Sequence, residues 1–114
     1  MTSEEFVSAT EFQEGLGRLA RSHQLPNVED PLGKLVTEIE GSPAFAQSRL
    51  LTRILVALAE QKGAFRRAEL TLLTTGSLGT VNSLLEGHAA GRITLEDCKR
   101  AASRASAAQL AAEA

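Results

Sequence analysis

Apolar residues recur along this chain at spacings of three and four, and Pro and Gly interrupt them, so the pattern predicts a succession of amphipathic helices. Phe6, Ala9, Phe12, Leu16 and Leu19 form the first stripe and predict a helix over residues 3–22. Thr2 and Glu5 have the T-x-x-E spacing of a capping box at its start. Gly15 and Gly17 inside the stripe each cost up to about 1 kcal/mol relative to Ala, so this helix depends on packing, and the glycines admit a close crossing. After the linker QLPNVED, Asp30 and Pro31 read as cap and first helical residue, and Leu32, Leu35, Val36 and Ile39 predict a short helix ending at Gly41.

Ser42 and Pro43 repeat that signal and predict a helix over residues 43–62, with Gly63 as its left-handed terminator. Leu50, Leu51, Ile54, Leu55, Val56, Ala57, Leu58 and Ala59 leave this helix apolar on almost every side, which predicts burial at the centre of the fold. Beyond it the chain reads as a short helix, FRRAELTLL, a turn at Thr74-Thr75-Gly76, a second helix, SLGTVNSLLEGHAA, and a break at Gly91. Thr94 and Asp97 then form a capping box for a last helix with Leu95, Cys98, Ala102, Ala105 and Ala108 at helical spacing. The expected fold is all-α: a single-domain orthogonal bundle of five to six short helices around the buried helix 43–62. Residues 1–41 supply N-terminal helices suited to dimerisation, 43–104 the core, and 105–114 an Ala-rich tail that continues in helix or frays.

Composition sharpens this. With 114 residues the chain suits one ordinary domain, and 12 Lys and Arg against 14 Asp and Glu give a net charge of −2, which excludes a polybasic nucleic-acid binder while allowing a local basic face. The longest apolar run, residues 54–59, is far short of a membrane span, and the acidic start MTSEEF is unlike a signal peptide. No membrane partner is expected, and the cytoplasm is the expected compartment. A lone cysteine, Cys98, cannot form an internal disulfide, and with only His23 and His88 a four-ligand zinc site cannot be assembled. No metal or other cofactor is expected.

Enzymatic chemistry finds no motif to carry it. His23 and His88, the candidate bases near neutral pH, sit in no motif that would position a nucleophile beside them. The acidic pairs Glu4-Glu5, Glu29-Asp30 and Glu96-Asp97 fall at helix starts, where they complement the helix dipole. Glu38 and Glu40 project about 160° apart on a helix and form no dyad. Gly76 and Gly79 make a GxxG without the Lys of a phosphate loop, and Cys98 lies on an apolar stripe where an inert buried thiol is expected.

The segment RAELTLLTTGSLGTVNSLLEG resembles the helix-turn-helix of bacterial transcription regulators, with E-L opening the first helix, a glycine at the turn, and S-x-x-T-V with L-L in the recognition helix. The following HAAGRITLEDCKRAA is similar to the loop and next helix of phage-repressor-like DNA-binding domains, so the likeness covers residues 66–102. It implies a small non-enzymatic regulator of double-stranded DNA in which Gly76 permits the turn and Leu70, Leu73, Val81 and Leu85 lock the helices. Thr80, Asn82 and Ser83 would then face outward to the base edges, while Arg66, Arg67 and Arg92 hold phosphates. The recognition helix itself carries no Lys or Arg. The alternative is an all-α protein-interaction or assembly module without DNA binding, in which SLGTVNSLL is a packing helix. Both readings expect a homo-oligomer or a helical protein partner, with Phe6 and Phe12 available to bury against a second subunit.

Overall fold

The computed structural model describes residues 6–113; Thr2 and Glu5, and the capping box expected of them, lie outside the described residues. The chain opens with a strand, β1 (Phe6–Ser8), followed by α1 (Ala9–Ser22), α2 (Pro31–Gly41) and α3 (Ala46–Glu60). A second strand, β2 (Ala64–Arg66), leads into a 3-10 helix (Arg67–Leu72), then α4 (Thr75–Ala89) and α5 (Leu95–Glu113). Five α-helices and one 3-10 helix make an all-α fold with one small antiparallel ribbon, in which Val7 pairs with Phe65.

The central helix is α3. Leu50, Leu51, Ile54 and Leu55 are each at most 1% exposed, and Ala57 and Leu58 are also buried. Burial is less complete than the sequence pattern predicts, because Arg49, Arg53 and Glu60 form one exposed stripe; the rest of the helix needs cover. α5 lies along it, α2 packs on both α5 and α4, and α1 packs on α4. Residues 105–113 are helix and not a loose tail: Ala105 is fully buried, and the Gln109 side-chain amide donates to the Pro43 carbonyl at 2.7 Å. Leu95, expected on the buried stripe of α5, is largely exposed.

Where a cap is local and free, the predicted boundary holds. Asp30 accepts from the Gly33 N–H at 3.2 Å, and Thr94 and Asp97 exchange two hydrogen bonds of 3.1 Å. Elsewhere the boundaries move. α1 begins at Ala9, because Ser8 accepts from the Glu11 N–H at 3.1 Å while Phe6 and Val7 are drawn into the ribbon. Phe6 is thus an exposed strand residue, and Phe12, expected at a subunit contact, is buried and stacked on Phe65 with ring centroids 4.4 Å apart.

The cap expected of Ser42 is also displaced. Its N–H is held by Glu38 at the end of α2, its carbonyl accepts from Phe45, and α3 starts at Ala46 with no side-chain cap. Gln61, not Gly63, takes the left-handed conformation that ends α3, with φ 58°. Phe65, expected to open a helix, is in β2, and Gly76, expected to make a turn, lies in the first turn of α4, which Thr74 caps.

Two clusters of polar bonds add to the ties between these elements. Glu38 of α2 accepts from Gln47 of α3 at 2.7 Å and from the buried Ser77 hydroxyl of α4 at 3.1 Å, while Gln47 accepts from the Thr74 N–H at 2.7 Å. Arg53 of α3 stands over the Phe65 ring, 4.9 Å from its centroid, pairs with Glu69, and donates to the Ala64 carbonyl at 2.9 Å; Glu69 in turn accepts from the Arg66 N–H at 2.8 Å.

Two outcomes follow from this packing. Leu55→Ala should cost about 2–5 kcal/mol in urea unfolding, and Leu55→Asp should abolish the cooperative transition; a loss under about 1 kcal/mol for the alanine variant would contradict the central place of α3. At the start of α5, hydrogen bonds from the Thr94 backbone first, then from the Thr94 side chain and Arg100, hold the Asp97 carboxyl below its ordinary value. A carboxyl whose folded value is depressed stabilises above its unfolded value, and that contribution disappears as pH falls through the folded value. Asp97→Asn should therefore lower the thermal midpoint at neutral pH, with the gap to wild type closing in strong acid; a gap independent of pH would overturn the assignment.

Candidate binding groove

α1 and α4 cross at Gly17, where an added Cβ would sit 3.6 Å from Asn82 Oδ1 and 3.2 Å from an Arg21 guanidinium nitrogen. Beside this crossing lies an open groove of about 730 Å³ between α1, α4 and the end of α3. Thr10, Gln13, Glu14, Gly17, Arg18 and Arg21 line one wall, which is a single face of α1 at helical spacing. Asn82, Leu85, Glu86, His88 and Ala89 of α4 form the other, with Ala57, Leu58 and Gln61 closing the end near Thr10.

Asn82 is the polar group set deepest in this groove. It is 7% exposed, its side-chain nitrogen reaches Glu86 at 3.4 Å, and its Oδ1 accepts no hydrogen bond among the described residues. Arg18 and Arg21 are exposed, and neither forms an ion pair among the described residues. The His88 imidazole is half-buried and makes no hydrogen bond among the described residues, so no base-and-nucleophile pair is assembled there.

The residues expected to contact DNA bases do not share an outward face. Ser83 is buried, and its hydroxyl accepts from the Val28 N–H of the α1–α2 linker at 2.8 Å. Asn82 turns toward α1, and the Thr80 hydroxyl donates back to the Gly76 carbonyl at 3.0 Å. The physical reason is that α4 is covered on several sides, by α1, by α2 and by the linker: Ser77, Leu78, Gly79, Val81, Leu84 and Gly87 are buried too. Arg66 and Arg67 precede α4 and Arg92 follows it, so the three cations expected to hold phosphates flank a helix about 22 Å long. None of them lines the Asn82 groove.

A second groove of about 690 Å³ lies between the start of α2 and α5, with Val28, Leu32, Val36, Ile93 and Ala101 as its apolar part. Its arginines are largely engaged: Arg100 pairs with Asp97, and Arg104 donates to Glu40 at 2.8 Å. Gly87 lets Ile93 close onto α4, since a Cβ there would stand 2.7 Å from Ile93 Cδ1. Cys98 is fully buried, and that burial, with Asp97 beside it, pushes its thiol up from the ordinary value. Among the described residues no group of His, Cys, Asp and Glu can hold a metal ion, and no helix is long and apolar enough to cross a membrane.

Comparison with protein-family models, curated proteins and solved structures finds no match to this chain. Sequence reasoning had singled out Asn82 but missed Arg18, Arg21 and Leu85 as its groove partners. The signal for the α1 wall was the polar stripe at positions 10, 13, 14, 17, 18 and 21, with a glycine in its middle.

The groove yields a direct expectation. Gly17→Ala removes a helix-interior glycine and should raise stability by up to about 1 kcal/mol in urea, because the tight neighbour at 3.2 Å is the mobile end of Arg21. It should also shift the NMR signals of the Asn82 side-chain amide. Destabilisation by the alanine would mean that α1 and α4 cross too closely for the open groove described.

Proposed function

We propose that this protein is a non-enzymatic, all-α protein-interaction module that receives a segment of a partner chain in the groove between α1 and α4. The observation that carries this reading is Asn82. A half-engaged carboxamide on the wall of a groove of ligand size, its Oδ1 open to solvent, offers a hydrogen-bonding position that an incoming chain fills. Around it the groove combines apolar ground, Leu58, Leu85, Ala57 and Ala89, with polar side chains from both helices. That mixture suits recognition of a polypeptide, which brings backbone amides and side chains together.

The DNA-regulator reading draws less support. Two of its three base-reading candidates, Asn82 and Ser83, are buried on different sides of α4, and the helix itself contributes no cation to phosphates. An NMR titration discriminates the two. A pool of blocked, degenerate octapeptides should shift the amides of Gly17, Asn82, Leu85 and Ala89, whereas mixed-sequence duplex DNA at low ionic strength should leave them in place. Salt-dependent shifts confined to Arg66, Arg67, Arg92 and the exposed edge of α4 on adding DNA, with none from the peptides, would overturn the interaction-module reading in favour of the regulator.

A further inference from the structure

The two most exposed large apolar side chains of the described residues, Phe45 and Leu110, are each 68% exposed. They stand at one corner of the bundle. α5 runs back along α3, and near its end the Gln109 side chain is bonded to the Pro43 carbonyl at 2.7 Å, which sets Leu110 beside the start of α3. Ala44 and Ala46 flank Phe45, Ala107 lies one turn before Leu110 and Ala111 follows it, and all four alanines are exposed as well. An apolar corner of this kind marks a contact surface.

The charges around this corner specify its partner. Residues 41–48 and 105–112 contain no ionisable side chain. Four charged residues bound these two stretches. Glu40 and Arg104 pair with each other at 2.8 Å, whereas Arg49 and Glu113 are exposed and have no ion pair among the described residues. Arg49 lies about 6 Å along α3 from Phe45, and Glu113 about 4.5 Å along α5 from Leu110, in the opposite direction because the two helices are antiparallel. Each also sits at the helix end that disfavours its sign, a cation near the start of α3 and an anion at the end of α5.

We infer that this corner is the contact surface of a two-fold dimer of the chain, in which Phe45 and Leu110 of both copies pack together and Arg49 of each copy pairs with Glu113 of the other. A two-fold axis through the corner, perpendicular to α3 and α5, reverses the direction of both helices, so Glu113 of the second copy arrives at the level of Arg49. The patch is thereby complementary to itself: one rotation covers its apolar centre and sets each unpaired cation against an unpaired anion. The residues of α3 that close the α1–α4 groove begin at Ala57, about 18 Å along the helix from Phe45, so the dimer leaves both grooves open.

Sedimentation equilibrium of the full chain tests the inference. The protein should pass from monomer to dimer with a dissociation constant of about 100 μM, the weak association expected of a small interface, and should form nothing larger, since a two-fold contact closes on itself. Phe45→Ser places a favoured N-cap residue before α3 and Leu110→Ser alters an exposed position, so both variants should keep the thermal midpoint of the dilute protein while weakening association at least about tenfold. Arg49→Glu and Glu113→Arg should each weaken it about fivefold by opposing like charges, and the double exchange should restore it to within about twofold of wild type. A chain that stays monomeric at about 1 mM, association that survives both serine variants or grows into larger species, or a charge exchange that fails to restore the dimer would overturn the inference.

Discussion

The fold is organised by the need to hide α3. A helix with leucine or isoleucine at 50, 51, 54 and 55, and Ala57 and Leu58 beside them, buries more than half of its circumference and leaves water mainly the stripe of Arg49, Arg53 and Glu60, so its neighbours must wrap it. Its main cover is the Ala-rich α5, while α1 and α4, which pack on each other, are weak helices taken singly. α1 contains Gly15 and Gly17, α4 contains Gly76, Gly79 and Gly87, and short helices gain most of their stability from tertiary packing. Helix formation and burial of α3 are therefore one event: the surrounding segments become helical where they find α3, or one another, to pack on.

How much of this was legible follows from which signals are local. The starts of α2 and α5 could be read from Asp30-Pro31 and from Thr94 with Asp97, because each cap reaches only three residues along the chain. Burial of α3 could be read from composition alone. The start of α3 could not, because Ser42 is a competent cap whose backbone is already committed to the end of α2. β1 was hidden for a different reason: Val7 finds its partner in Phe65, and nothing near Val7 in sequence announces a residue so distant. Leucines, alanines and an aromatic at helical spacing then extended the α1 pattern over a segment that pairs as a strand.

The site was half legible for a similar reason. Asn82 stands out only through the helix-turn-helix resemblance, which turns it outward to bases, whereas small residues around α4 give no clear outward face, and periodicity cannot say which way the carboxamide turns. Arg18 and Arg21 carry no motif; they acquire meaning only when α4 is laid beside α1. Gly17 connects the two levels, since the residue that weakens α1 as an isolated helix is also the one that faces Asn82 across the crossing.

The cluster around Arg53 has a consequence for how this molecule behaves among its own copies. Along β2 the backbone groups of Phe65 and Gly63 face β1, so by antiparallel alternation those of Ala64 and Arg66 face away from it. Arg53 occupies the Ala64 carbonyl and Glu69 the Arg66 N–H, one charged side chain for each outward-facing residue. An intruding strand on that side would have to expel a bound ion pair to complete its ladder. The ribbon is thus sealed along one border against recruitment into larger sheets, a safeguard supplied by a helix and a 3-10 turn on behalf of a strand only three residues long.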